Sequence, residues 1–306
     1  MPAWATFVGV SIVVLLLLLV LARASADLLT GSEAATAGEP DESAAEPEPH
    51  APGTDGDRRS VSDDPTAGVG SEPMAKPAPT PDGQRPEPDG ADDQGEEPSP
   101  AERTLQSDME LTTGMLLANV ALSQGLFLGV LVAAAWWTEI PLWALGIGGE
   151  VTGLEATAWG VGLGLGLYLA AEVGGAVSER LGFDRDESLR ELLAPDGVRG
   201  WAALLLVVLP IIATFEELLF RAALIGAVHA GFGIDPWLLA ALTSVAFALG
   251  HSAQGNSGVV VTGLLGFVLA AAFVLSESLL LVIVAHYVVN ALEFVVHEGL
   301  GIEWTG

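Results

Sequence analysis

Seven stretches of apolar sequence dominate the chain, and the first, Trp4 to Ala22, is almost unbroken hydrocarbon. A helix of about 20 such residues crosses a hydrocarbon layer about 30 Å thick. The others cover roughly 111–137, 158–178, 200–230, 236–251, 258–275 and 278–297. Lipid offers the backbone no hydrogen-bond partner, so spans of this kind must be helices that satisfy their own N–H and C=O groups. The expected fold class is all-α, a polytopic transmembrane helix bundle with an N-terminal anchor helix. The lipid bilayer is its first partner.

Charge is segregated from this apolar sequence. Of 39 acidic residues, 22 fall within 26–110, together with 13 of the 18 prolines. Runs such as Glu46-Pro47-Glu48-Pro49 cannot bury enough apolar surface to repay the entropy of ordering, so 26–110 is expected to be a disordered, solvated linker. The domain plan is thus an anchor over 1–25, an acidic Pro-rich linker over 26–110 and a polytopic domain over 111–306. A formal net charge of −28 with 11 basic residues leaves no basic stripe for phosphates, which excludes nucleic acid as a partner. The chain has no cysteine. Disulfides, thiolate zinc sites, iron–sulfur clusters and cysteine nucleophiles are excluded with it.

Arginine sets the orientation. Arg180, Arg185, Arg190 and Arg199 crowd one loop, whereas 138–157 holds no Lys or Arg. Cytoplasmic loops collect such residues. Counting spans back from 180–199 puts the acidic linker in the cytoplasm and the N-terminus outside, in a multi-pass protein of the cell membrane. Ala24-Ser25-Ala26 resembles a cleavage site, but no basic residue precedes the apolar run and Arg23 follows it. Cleavage would also place the linker outside. A retained anchor is expected. In the arginine loop, Leu189, Leu192 and Leu193 share a helical face, as in a short helix lying on the leaflet or packed on the bundle. Gly160, Gly162, Gly164 and Gly166 supply small residues at four-residue spacing, a device for close helix approach in lipid.

Ionisable groups inside spans are costly and mark function by default. The fourth span holds Phe215-Glu216-Glu217-Leu218-Leu219-Phe220-Arg221. Glu217 and Arg221 are four apart on one face and can pair. Glu216 points about a third of a turn away. A carboxylate left alone in an apolar site is suited to act as a general base, and the bland alternative is a structural Glu–Arg clasp. The fifth span ends Phe247-Ala248-Leu249-Gly250-His251, and the last carries His286 and Asn290 on one face. A base, an imidazole and two further donors on separate spans are an inventory for hydrolysis by activated water. Glu172, Glu277, Glu293, His229, His297 and Glu298 sit near span ends and are given no role.

Taken in order, Glu216-Glu217-x-x-x-Arg221, Phe247-x-x-x-His251 and His286-x-x-x-Asn290 resemble the CPBP family of intramembrane endopeptidases. These are the type II CAAX prenyl proteases and bacteriocin-processing proteins, also called the Abi domain. The resemblance covers about 200–295 and does not extend to the first span or the linker. It implies that Glu216 activates water with help from His251, that His286 and Asn290 form an oxyanion hole, and that Glu217 and Arg221 support them. The substrate it implies is a membrane-anchored or prenylated peptide or protein. Glu216, His251 and His286 could together ligate zinc. The familiar arrangement of two His one turn apart around a Glu is absent, and Asn290 suits an oxyanion better than a metal, so no required cofactor is expected.

Two other readings compete. Gly255-Asn256-Ser257-Gly258 matches the G-x-S-G of rhomboid serine proteases, with His286 as base, but leaves Glu216, Glu217 and Arg221 without a task. A membrane scaffold or immunity-type protein would keep the polar cluster for assembly alone. The orientation itself is testable, because the chain is free of cysteine. A single cysteine placed at 190 should react with an impermeant reagent from the cytoplasmic side only, as read by labelling of oriented vesicles.

Overall fold

The computed structural model describes residues 1–36, 100–180 and 188–302. The bulk of the acidic linker, 37–99, and the Arg185 portion of the arginine loop lie outside the described residues. Every regular element among the described residues is helical. In chain order they are α1 (Trp4–Thr36), α2 (Pro100–Trp137), a 3₁₀ turn (Leu142–Leu145), α3 (Gly153–Arg180) and α4 (Ser188–Leu193). Then come α5 (Val198–Phe232), α6 (Pro236–Gly250), α7 (Gly255–Ser276) and α8 (Leu279–Gly299). Helix α5 winds as π-helix over Leu204–Val208 and Leu218–Ala227, and α8 does so over Phe294–Gly299.

Helix enters both edges of the segment assigned to the linker, since α1 runs to Thr36 and α2 begins at Pro100. Once a helix is nucleated, each added residue is inexpensive, and the edges are richer in Ala, Leu and Glu than the centre. Six helices are long and apolar enough to cross a membrane, not seven. The shortfall is α6, whose 15 residues reach only about 22 Å at 1.5 Å each. Its start is fixed by Pro236 in the first turn and by Asp235, whose carboxylate accepts the N–H groups of Trp237 and Leu238 at 3.0 Å each. At that length α6 is shorter than a hydrocarbon core about 30 Å thick.

The middle of α5 is the centre of the bundle. Phe215, Leu219, Phe220, Ala222, Ala223 and Ile225 are all buried, as befits a helix apolar around its whole circumference. Against it pack α1, α2, α6, α7 and α8. Helix α1 and everything from α2 onward belong to one compact unit, so the N-terminal span packs with the bundle. Outward faces carry exposed Leu, Val and Ile, and Trp136, Trp137, Trp143 and Trp159 stand exposed around the 138–157 loop. Trp is the residue type enriched at membrane–water boundaries. The short helix α4 packs on α2 and on the last turns of α8. Leu193 joins that core while Leu192 stays exposed.

Two glycines make the closest helix seam. A Cβ on Gly160 would stand 2.7 Å from the Leu281 carbonyl oxygen, and one on Gly164 would stand 2.7 Å from that of Ala285. At Gly162 and Gly166 a Cβ would meet nothing within 4 Å. Only one of the two glycine pairs read from the sequence is therefore the packing device, because the other faces away from α8. Gly164→Ala should lower the melting temperature in detergent, at a cost of about 1–3 kcal/mol for overpacking. Gly162→Ala should leave it unchanged or slightly raised, since Ala favours helix.

Candidate active site

Helices α5, α6, α7 and α8 bring together every residue singled out by the three motifs. Glu217 is fully buried, and its Oε1 accepts from Arg221 Nη1 at 3.0 Å and from His286 Nδ1 at 2.7 Å. An ionised carboxylate only accepts, so the imidazole donates from Nδ1 and turns Nε2 the other way. That nitrogen lies 3.7 Å from Glu216 Oε2. Glu216 Oε2 is itself buried and has no hydrogen-bond partner within the protein. The adjacent glutamates therefore differ in state. Glu217 is committed to two partners, whereas Glu216 is held beside an imidazole and faces a cavity.

Arg221 is as buried as its partner. Its Nη2 donates to the Gly266 carbonyl of α7 at 2.8 Å, and its guanidinium carbon lies 4.8 Å from the centre of the Phe247 ring. The ring face supplies a further attraction for the cation. Gly266 is required here, because a Cβ would come within 2.9 Å of Phe247 Cδ1. Phe247 also explains its own place in the second motif. Its carbonyl binds His251 Nδ1 at 2.8 Å, its ring tilts against the His251 ring at 4.5 Å, and it meets His286 edge-on at 6.0 Å. One aromatic residue thereby aligns both histidines and the arginine.

A cavity of about 550 Å³ opens on this group, and Glu216, His251, His286 and Asn290 all line it. Asn119 and Gln124 of α2 line it as well, and Gln124 Oε1 is buried without a partner. Sequence reasoning missed these two, although polar residues five apart inside the second span were there to be read. Arg190 and Glu293 also line the cavity. Arg190 bridges Glu298 at 2.7 Å through Nε and Glu293 at 3.2 Å through Nη1, tying α4 to the end of α8. His297 Nε2 binds Glu172 at 2.9 Å across to α3. Residues given no role from sequence are thus an ionic clasp at one end of the bundle. Because Arg190 is engaged in it, the exposed Glu191 is the better neighbouring position for a cysteine label.

The residues named for zinc do not gather at zinc spacing. Zinc ligand atoms stand about 2.0–2.2 Å from the ion and so within about 4 Å of one another. Among the described residues, the group with ligand atoms all within 4.8 Å is Glu172, Glu293 and His297, not Glu216, His251 and His286. Those two histidines spend Nδ1 on Phe247 and Glu217 and reach the cavity from different helices. Ser257, of the G-x-S-G reading, lies in the first turn of α7, and its side chain is outside the described residues.

Residues 198–292 match the sequence model of the family described as type II CAAX prenyl endopeptidase Rce1-like. No curated protein and no solved structure gives a significant match. The matched stretch contains all three motifs, and it is consistent with the CPBP intramembrane endopeptidases that those motifs resemble. Its arrangement predicts a particular weakness at Glu217. Replacing it with Gln removes the charge facing a buried guanidinium and leaves His286 a neutral amide oxygen as its acceptor. Breaking a buried pair in this way costs about 3–5 kcal/mol. Glu217→Gln should therefore show a lower melting temperature and lower yield as well as lost activity.

Proposed function

We propose that the chain hydrolyses a peptide bond within or next to the membrane, with Glu216 as the general base. The family match supports a peptidase. The observation that carries the finer reading is the contrast between the two glutamates: Oε2 of both lacks a hydrogen-bond partner, but Glu217 is held through Oε1 by Arg221 and His286, whereas Glu216 is the one that lines the cavity.

Glu216 takes a proton from water, and the hydroxide adds to the scissile carbonyl carbon. Negative charge grows on the carbonyl oxygen, where Asn290 and His286 are the available donors. With Nδ1–H committed to Glu217, His286 donates from Nε2 only when the ring carries both protons. In that form Glu217 is the residue that holds the His286 ring in its donor orientation. Collapse of the tetrahedral intermediate breaks the C–N bond, and Glu216 passes its proton to the leaving nitrogen. His251, aligned by Phe247, helps hold the water. No step needs a metal. The substrate class follows from the family description and the setting, a prenylated or otherwise membrane-anchored peptide reaching the cavity from the cytoplasmic side.

The test is cleavage of a fluorescence-quenched prenylated peptide by protein in nanodiscs. Glu216→Gln should lose about a hundred-fold or more in rate, the worth of a general base, with the melting temperature unchanged. Ser257→Ala and dialysis against a chelator should leave the rate as it was. An inactive Ser257→Ala beside an active Glu216→Gln would transfer the chemistry to the serine, and loss on chelation would restore a metal to it.

A further inference from the structure

Helix α1 lies outside the matched stretch 198–292, and residues 37–99 separate it in sequence from α2. Even so, Leu18, Leu21 and Ala22 of α1 line the cavity that holds Glu216, His251 and His286. Their position is built into the helix. Phe7, Ser11 and Val14 are buried along one face, and continuing that face by helical spacing leads to Leu18 and Ala22. The Ser11 hydroxyl donates to the Phe7 carbonyl at 3.0 Å, so it can be buried without an orphaned donor. Trp4 closes over Gly231, where a Cβ would come within 2.8 Å of the indole, and Ala3 N–H donates to the Thr138 carbonyl at 2.8 Å. The opposite face shows Ile12, Val13, Leu16, Leu17 and Val20. A helix serving only to anchor the chain has no need of such sidedness.

We infer that α1 is one wall of the catalytic chamber and that Leu18 and Ala22, with Leu21 at the rim, are specificity-determining residues. They offer hydrocarbon alone, while Asn119, Gln124 and Arg190 supply the polar lining. The wall therefore limits the bulk of the apolar side chain that a substrate peptide can place beside the scissile bond. The specificity claim rests on the peptidase reading. The placement of the wall does not.

The absence of cysteine makes the test direct. Single cysteines at 16, 18, 20 and 22 of the full chain in nanodiscs are exposed to a cationic methanethiosulfonate reagent. A thiol in lipid stays protonated and inert, whereas one facing a polar chamber can ionise and react. Positions 18 and 22 should be modified at least about ten-fold faster than 16 and 20. Leu18→Ala should shift the preference between quenched peptides bearing Leu and Trp beside the cleaved bond by about ten-fold towards Trp, the scale expected of a reshaped apolar pocket. Equal or absent modification at all four positions, or an unchanged Leu-to-Trp ratio, overturns the inference. Should Glu216→Gln cleave as well as the unaltered protein, the peptidase reading fails while the labelling pattern still decides whether α1 walls the chamber.

Discussion

Glu217 exposes no surface, and through one oxygen it holds Arg221 at 3.0 Å and His286 at 2.7 Å. Removing two charges from water is expensive, and only good geometry with further hydrogen bonds repays it. Here the geometry comes from three helices at once. The pair itself lies within α5, the second anchor of Arg221 is a carbonyl of α7, and the second partner of Glu217 belongs to α8. The cluster thus specifies which helix faces meet, a task that hydrophobicity cannot perform in a solvent as apolar as the side chains.

The same cluster separates two chemically identical neighbours. Adjacent positions on a helix point about 100° apart, so Glu216 escapes the clasp that Glu217 enters. The π-helical segment that begins at Leu218 sits immediately after this divergence, in keeping with the frequency of π-turns at functional sites. Phe247 completes the division of labour by serving as cation platform, as the carbonyl acceptor that aligns His251 and as aromatic neighbour of both imidazoles.

Much of this was legible beforehand because charge inside a span is so costly that each instance has to mean something. Glu216, Glu217, Arg221, His251, His286 and Asn290 could all be named, and the Glu217–Arg221 pair followed from spacing alone. The bond from His286 to Glu217 could not be read, because it joins residues 69 positions apart. Nor could the ionic clasp of Arg190 with Glu293 and Glu298, whose members near span ends look like ordinary water-facing groups until α4 folds back on α8. Asn119 and Gln124 were masked by their mildness, since neutral amides in a span do not raise the alarm that charges do. The glycine run was recognised as a seam, but four equivalent glycines gave no hint that Gly160 and Gly164 touch α8 while Gly162 and Gly166 do not.

That seam bears on how the site keeps its alignment. Gly160 and Gly164 lie against Val284, Ala285 and Val288 of α8, the residues that flank His286 in sequence. Contact between one helix's bare backbone and the next has no rotamers to populate on the glycine side, so it acts as a stiff bearing surface. A helix seated on such a surface takes its height and rotation from its neighbour. Bilayers differ in thickness, and spans usually answer by tilting. With α8 registered against α3 in this way and tied to α5 by the bond from His286 to Glu217, His286 and Asn290 are held level with Glu216 by protein contact and not by the surrounding lipid.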